Sequence, residues 1–257
     1  MKVSLFVTCV GDQFGPGAGR AAVRLLRAAG CDVDFPMAQT CCGQPAYNAG
    51  YHDEARAVAK HFLKSFERSE YIVAPSGSCG AMVHHYAEIF RDDAPNLRRA
   101  WAAAERTYEL TQFLVDVLGV EQTGVNLSRV RVAYHDSCHA MRNMGVREQP
   151  RALLQAAGAE LVEWDQTCCG FGGLFSVKMP EISSAMMNRK LDSLDVAGQE
   201  VPVDILTSTD LGCLMQLGGG LERRALGPRW AHVAELLDPA SDISQKLQTR
   251  TRSQVSA

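Results

Sequence analysis

The chain of 257 residues has only a small surplus of acidic charge and few charges in all. Asp, Glu, Lys and Arg make up 21% of it, the net charge is −3 and the pI is near 6.2, so it lacks the basic footprint that nucleic acid requires. No stretch approaches the roughly 18 consecutive apolar residues of a membrane helix, and no membrane span is expected. A phosphate loop ending in Lys-Ser/Thr is absent, and no spaced G-x-G-x-x-G follows a strand, which leaves the chain without a nucleotide, flavin or nicotinamide fingerprint. The opening MKVSLFVTCVGD has one lysine and a short apolar stretch, too little for a signal peptide, and reads as a first strand.

What the chain does have is cysteine. There are nine, an odd number with adjacent pairs, which makes a poor disulfide framework and suits a reducing cytoplasm. Eight of them form one pattern written twice. The first copy is Cys9, then Cys41-Cys42-Gly43, then Cys79; the second is Cys138, then Cys168-Cys169-Gly170, then Cys213. Such repetition predicts two similar lobes, each supplying the four thiolates of one metal site. Cys31 has no counterpart and reads as a core residue.

Hydrophobic content of 46% is enough for a sizeable core. In the first half, Val3–Val7, the run CDVDF and Tyr71–Ala74 read as strands, separated by helical stretches at AGRAAVRLLRAAG and about His52–Phe66. The second half repeats the order, with strands at Val130–Tyr134, Glu160–Trp164 and Asp204–Thr207 and helices near Arg151–Ala157 and Pro180–Ala197. Alternation of this kind predicts an α/β fold in which each lobe is a mainly parallel sheet flanked by helices. Each cysteine segment then lies just after a strand, so the carboxyl edge of each sheet gathers four sulfurs that are far apart in sequence. The expected organisation is a first cysteine-rich repeat at 1–105, a connecting helix and linker at 106–128, a second repeat at 129–240 and a polar, disordered tail at 241–257. The apolar period from Tyr108 to Leu118 marks the helix between the lobes.

Four thiolates with an adjacent pair fit two kinds of site. Structural zinc spaces its ligands two to four residues apart, and neighbouring cysteines would strain one small tetrahedron. A cluster of several irons is wider, so adjacent thiolates can reach different irons. The spacing favours an iron–sulfur cluster in each repeat, [4Fe-4S] by thiolate count, with zinc left open for the first. Gly43, Gly170, Gly172 and Gly173 would let the backbone approach a bulky group with amides toward sulfide. His135 and His139 bracket Cys138; His135 reads as a loop histidine satisfied by backbone, whereas His139 is balanced between that role and donation to cluster sulfur. His84 and His85, just beyond Cys79, read as part of a solvated helix face.

The doubled pattern resembles the cysteine-rich CCG-domain proteins, a family that includes the cysteine-rich component of heterodisulfide reductase and the iron–sulfur subunit of glycolate oxidase. The match is carried by Gln39-Thr40-Cys41-Cys42-Gly43-Gln44-Pro45, Pro75-Ser76-Gly77-Ser78-Cys79, His135-Asp136-Ser137-Cys138-His139, Thr167-Cys168-Cys169-Gly170-Phe171-Gly172-Gly173 and Thr209-Asp210-Leu211-Gly212-Cys213. It is nearest to the family's lactate-utilization members. The resemblance implies an iron–sulfur electron-transfer subunit, not an autonomous enzyme, of a cytoplasmic system that oxidises L-lactate to pyruvate. It also implies two partners, a ferredoxin-type iron–sulfur protein and a further subunit. The alternatives are another 2-hydroxy acid such as glycolate, a heterodisulfide-reductase-like thiol/disulfide subunit, and a zinc-stabilised adaptor for redox partners. Heterodisulfide reductase closes each repeat with Cys-x-x-Cys, whereas here Ser76 and Asp210 stand at the first of those positions. That departure favours electron relay over disulfide reduction and leaves open an oxygen ligand from either residue.

Overall fold

The computed structural model describes residues 1–255, with side chains through residue 249. Two four-stranded sheets are present, one in each half of the chain. The first comprises β1 (Lys2–Leu5), β2 (Asp32–Asp34), β3 (Tyr71–Ala74) and β4 (Thr107–Glu109), in the order β2-β1-β3-β4. The second comprises β5 (Arg131–His135), β6 (Glu160–Leu161), β7 (Ile205–Ser208) and β8 (Arg229–His232), in the order β6-β5-β7-β8. Every pairing is parallel: Val3 lies opposite Val33 and Tyr71, and Val132 lies opposite Leu161 and Ile205. The inner strands β3 and β7 are buried on both faces, as parallel sheets covered by helices require.

Helices form the crossovers. Pro16–Ala28 begins with proline at its first turn and buries Ala18, Ala21, Ala22, Leu25 and Leu26, a stripe at helical period. The helix His52–Ser65 carries Asp53 and Glu54 in its first turn and buries Ala55, Ala59, Phe62 and Leu63. Its counterpart in the second half is the longer helix Pro180–Glu200.

The two similar lobes with parallel sheets are as the sequence predicts; the structure differs from that expectation in two places. Each sheet has a fourth strand, and β4 lies inside the segment expected to be connector; the helical stretch begins only at Leu110 and continues as a π-helix over Phe113–Val117. The tail expected to be disordered is helical over Asp242–Val255, while residues 256–257 lie outside the described residues. Ser241 accepts a hydrogen bond from the Ser244 amide at 3.1 Å, and Leu247 is buried with Ile243 against the core, which gives that helix a capped start and an apolar anchor. The two lobes share a core. One apolar cluster contains Val3, Leu26 and Val73 together with Val132, Leu154 and Ile205. Cys31 lies in that cluster, away from the other cysteines.

Candidate metal centre

The strand ends deliver the eight sulfurs by the same construction in both halves. Cys9 opens the helix Cys9–Phe14, where the Thr8 hydroxyl accepts from the Gly11 amide at 3.3 Å; Cys138 opens the helix Cys138–Met144. Cys79 and Cys213 are third residues of the helices Gly77–Ile89 and Leu211–Arg223, whose N-terminal amides favour a thiolate. The pairs lie in loops held by glutamine. Gln39 accepts from the Val7 amide at 2.9 Å and donates to the Leu5 carbonyl at 3.0 Å; Gln166 repeats both bonds, at the same lengths, with Asp136 and Tyr134. Sequence reading quoted these glutamines without assigning them a role, although their position two residues before each pair was the available signal. Arg151, bidentate to the buried Asp136 at 2.5 and 2.9 Å, holds the loop before Cys138 and was also missed.

Gly43 and Gly170 take φ of 87° and 84°, the left-handed region that glycine enters freely, and this turns each amide back on its own pair. The Gly43 N–H donates to Cys41 Sγ at 3.4 Å and the Gly170 N–H to Cys168 Sγ at 3.4 Å; the Phe171 N–H adds a bond to Cys169 Sγ at 3.5 Å. Among the sulfurs, Cys9 lies 3.6 Å from Cys41 and Cys42 lies 3.7 Å from Cys79. Cys138 pairs with Cys168, and Cys169 with Cys213, in the same sense. Hydrogen bonds from Cys42 and Cys9, with the Gly43 amide, lower the Cys41 thiol to about 3. Those from Cys138 and Cys169, with the Gly170 amide, lower Cys168 to about 2. Donation to these acceptors, with burial, raises Cys9, Cys42, Cys138 and Cys169. In each quartet the first member of the adjacent pair is the sulfur toward which its neighbours and a backbone amide direct their hydrogens.

All eight cysteines line one cavity of about 210 Å³ between the halves. The carboxyl edges of the two sheets face each other across it. Ser76 and Asp210, considered above as oxygen ligands, join the halves: Asp210 accepts from Ser76 Oγ at 2.8 Å, Ser78 Oγ at 2.6 Å and the Ser78 amide at 3.1 Å. His139 also serves this junction, its Nδ1 accepting from Gln44 Nε2 at 3.3 Å. His84 and His85 are half-buried and turned elsewhere, His84 to the Thr107 carbonyl at 3.0 Å and His85 against the Tyr47 ring. His135 departs most from expectation. It is fully buried, and among the described residues no backbone group satisfies it and both ring nitrogens lack a partner. A ring nitrogen lies within 4.8 Å of the Cys169 and Cys213 sulfurs, an arrangement able to hold a metal ion. Burial, reinforced by the charge of Lys190, lowers its pKa to about 3.

The donor set fits a metal centre in each half: soft sulfur ligands at short mutual distances, backbone amides aimed at sulfur, and in the second half a buried imidazole with no protein partner.

Fold and site together define a protein of paired cysteine-rich domains, and residues 3–84 and 132–218 each match the cysteine-rich domain CCG. The chain is 48% identical over 241 residues to lactate utilization protein A of Geobacillus sp. (strain WCH70), a match covering 93% of this chain and 99% of that one. The identity to lactate utilization protein A of Anoxybacillus flavithermus (strain DSM 21510 / WK1) is also 48%, again over 93% and 99%. A crystal structure of a hypothetical protein from Helicobacter pylori shares the fold with a TM-score of 0.63 at 10% identity; the match covers 97% of this chain and 51% of that one. The chain belongs to the lactate utilization protein A family of cysteine-rich domain proteins.

Proposed function

We propose that this chain is the iron–sulfur electron-transfer subunit of a cytoplasmic system that oxidises L-lactate to pyruvate. The observation that carries the reading is the meeting of two cysteine quartets around one cavity. The substrate comes from the relatives, which are named for lactate utilization. Cys9, Cys41, Cys42 and Cys79 would hold one cluster and Cys138, Cys168, Cys169 and Cys213 the other. A four-iron cluster supplies reversible one-electron chemistry when bound.

The protein's own contribution is electrostatic and steric. The Gly43, Gly170 and Phe171 amides direct N–H dipoles at sulfur and offset its negative charge. Burial of Cys42, Cys169 and Cys213 limits the access of water to that sulfur. Oxidising lactate to pyruvate releases two electrons and two protons, and no flavin or nicotinamide fingerprint stands in this sequence to take the electron pair and one proton as hydride. That step belongs to a partner, with a ferredoxin-type iron–sulfur protein as the second component. No helix of the described residues is long and apolar enough to cross a membrane.

The test is anaerobic purification followed by iron, zinc and acid-labile sulfide analysis and electron paramagnetic resonance. The protein is expected to be brown, with no lactate turnover on its own. Cys42→Ser and Cys169→Ser are each expected to remove about half the iron, since each breaks one quartet. A colourless protein with zinc in both halves would sink the reading, as would iron that neither substitution lowers.

A further inference from the structure

The two halves repeat each other in their cysteines, glutamines and glycines, but not at the residue three positions before the leading cysteine. In the first half this is Phe6, a core ring 5.0 Å from Phe62 and 5.6 Å from Phe66. In the second half it is His135, 6.1 Å from the Trp164 ring. Lys190 lies beyond, with its ammonium 4.1 Å from the Trp164 centroid and donating to the Asp165 carbonyl. Where the first site is backed by hydrocarbon, the second has an imidazole and an ammonium.

An imidazole buried with both nitrogens unpartnered is costly, because a buried donor without an acceptor forfeits its hydration and gains nothing in return. His135 is 0% exposed, so bulk solvent does not reach it. The groups its ring approaches are the Cys169 and Cys213 sulfurs. Whichever protonation state an imidazole adopts, it carries at least one N–H. We propose that His135 is the nitrogen contact of the second metal centre, donating its N–H to sulfur there, and that this bond makes the second centre easier to reduce. A hydrogen bond to cluster sulfur stabilises the extra negative charge of the reduced state, so the potential rises. The hydrocarbon at Phe6 gives the first centre no such donor, and the chain thereby holds two inequivalent centres. This assignment rests on the iron–sulfur reading above.

The experiment uses full-length protein bearing Cys42→Ser, which leaves the second quartet intact, grown with 15N-labelled histidine and reduced without oxygen. Pulsed electron–nuclear double resonance is expected to show a weak histidine nitrogen coupling and an exchangeable proton coupling at the remaining centre. His135→Phe, which places in the second half the residue the first half already accommodates, should abolish both couplings. It should also shift the reduction midpoint downward while the iron content holds; His135→Gln, which keeps an N–H donor, should move the midpoint less. A paramagnetic centre with no histidine coupling in the protein that retains His135 would overturn the assignment alone, without needing any His135 variant to fold. An unmoved midpoint in His135→Phe would do the same. Absence of any paramagnetic iron centre would overturn the iron–sulfur reading together with the assignment.

Discussion

At the scale of single residues, the junction between the halves depends on one carboxylate. Asp210 is 3% exposed and accepts hydrogen bonds from two serine hydroxyls and a backbone amide of the opposite half. It also occupies the N-cap position of the helix that carries Cys213, and Ser76 caps the helix that carries Cys79. One network therefore ties together the starts of the two helices that carry Cys79 and Cys213. Asp210→Ala leaves the Ser78 amide and both hydroxyls without their acceptor and is expected to cost about 3 kcal/mol. Asp210→Asn retains one acceptor oxygen and should cost less. Urea denaturation of the purified variants checks this; midpoints equal to that of the parent protein would show that the junction contributes nothing. The role of Asp210 was out of reach of sequence reading, which saw only that a cysteine position held a carboxylate and left open a metal ligand. Its partner lies 134 residues away in sequence, and no local pattern announces it.

At the scale of elements, the loops that carry the adjacent cysteines look alike but tolerate change differently. Both glycines lie in the left-handed region, where a side chain costs about 1 kcal/mol. A Cβ at Gly43 would meet nothing nearer than 3.4 Å, whereas one at Gly170 would lie 2.5 Å from the Ser183 carbonyl oxygen, a backbone atom. Ser183 is itself held, donating to the Gly170 carbonyl at 2.8 Å and accepting from Gln216 at 2.9 Å. Gly43→Ala is therefore expected to cost about 1 kcal/mol and keep its iron. Gly170→Ala should cost about 3 kcal/mol, through strain and the displacement of a buried loop, and lose the iron of the second half. Thermal unfolding with iron analysis decides it; equal behaviour of the two variants would contradict the packing argument. The strands β1, β3 and β5 were legible because each carries a short apolar run broken just before its motif. The fourth strands were not: Thr-Tyr-Glu and Arg-Trp-Ala-His have no apolar run, and each ends in a buried polar residue, Glu109 or His232, that caps the helix after it. The tail helix was missed for a related reason, since its apolar anchor amounts to Ile243 and Leu247.

At the scale of the whole molecule, a sequence that reads as two lobes folds around one interior. The repeat made the number of sheets and their sulfur-bearing edges legible, but the way the edges meet depends on small residues at the junction. A Cβ on Gly77 would overlap Ala140, where the helices Gly77–Ile89 and Cys138–Met144 cross, so that approach requires glycine. On the far side, the helix Pro16–Ala28 packs on Val233–Leu237, and Arg24 meets the buried Asp238 carboxylate at 2.5 Å. Val3 and Leu26 share their apolar cluster with Val132 and Ile205, so unfolding either half would expose core belonging to the other. A single cooperative transition is expected. Trp164 and Trp230 report chiefly on the second half by fluorescence, while far-ultraviolet circular dichroism reports on all helices. Coincident urea curves from the two probes would establish one unit. Two separated transitions would mean that the halves are stable independently, and the facing of the quartets would then require another source of rigidity. One unit is what the cavity demands, because sulfurs from opposite halves keep their spacing only while the shared core holds the two sheets in place.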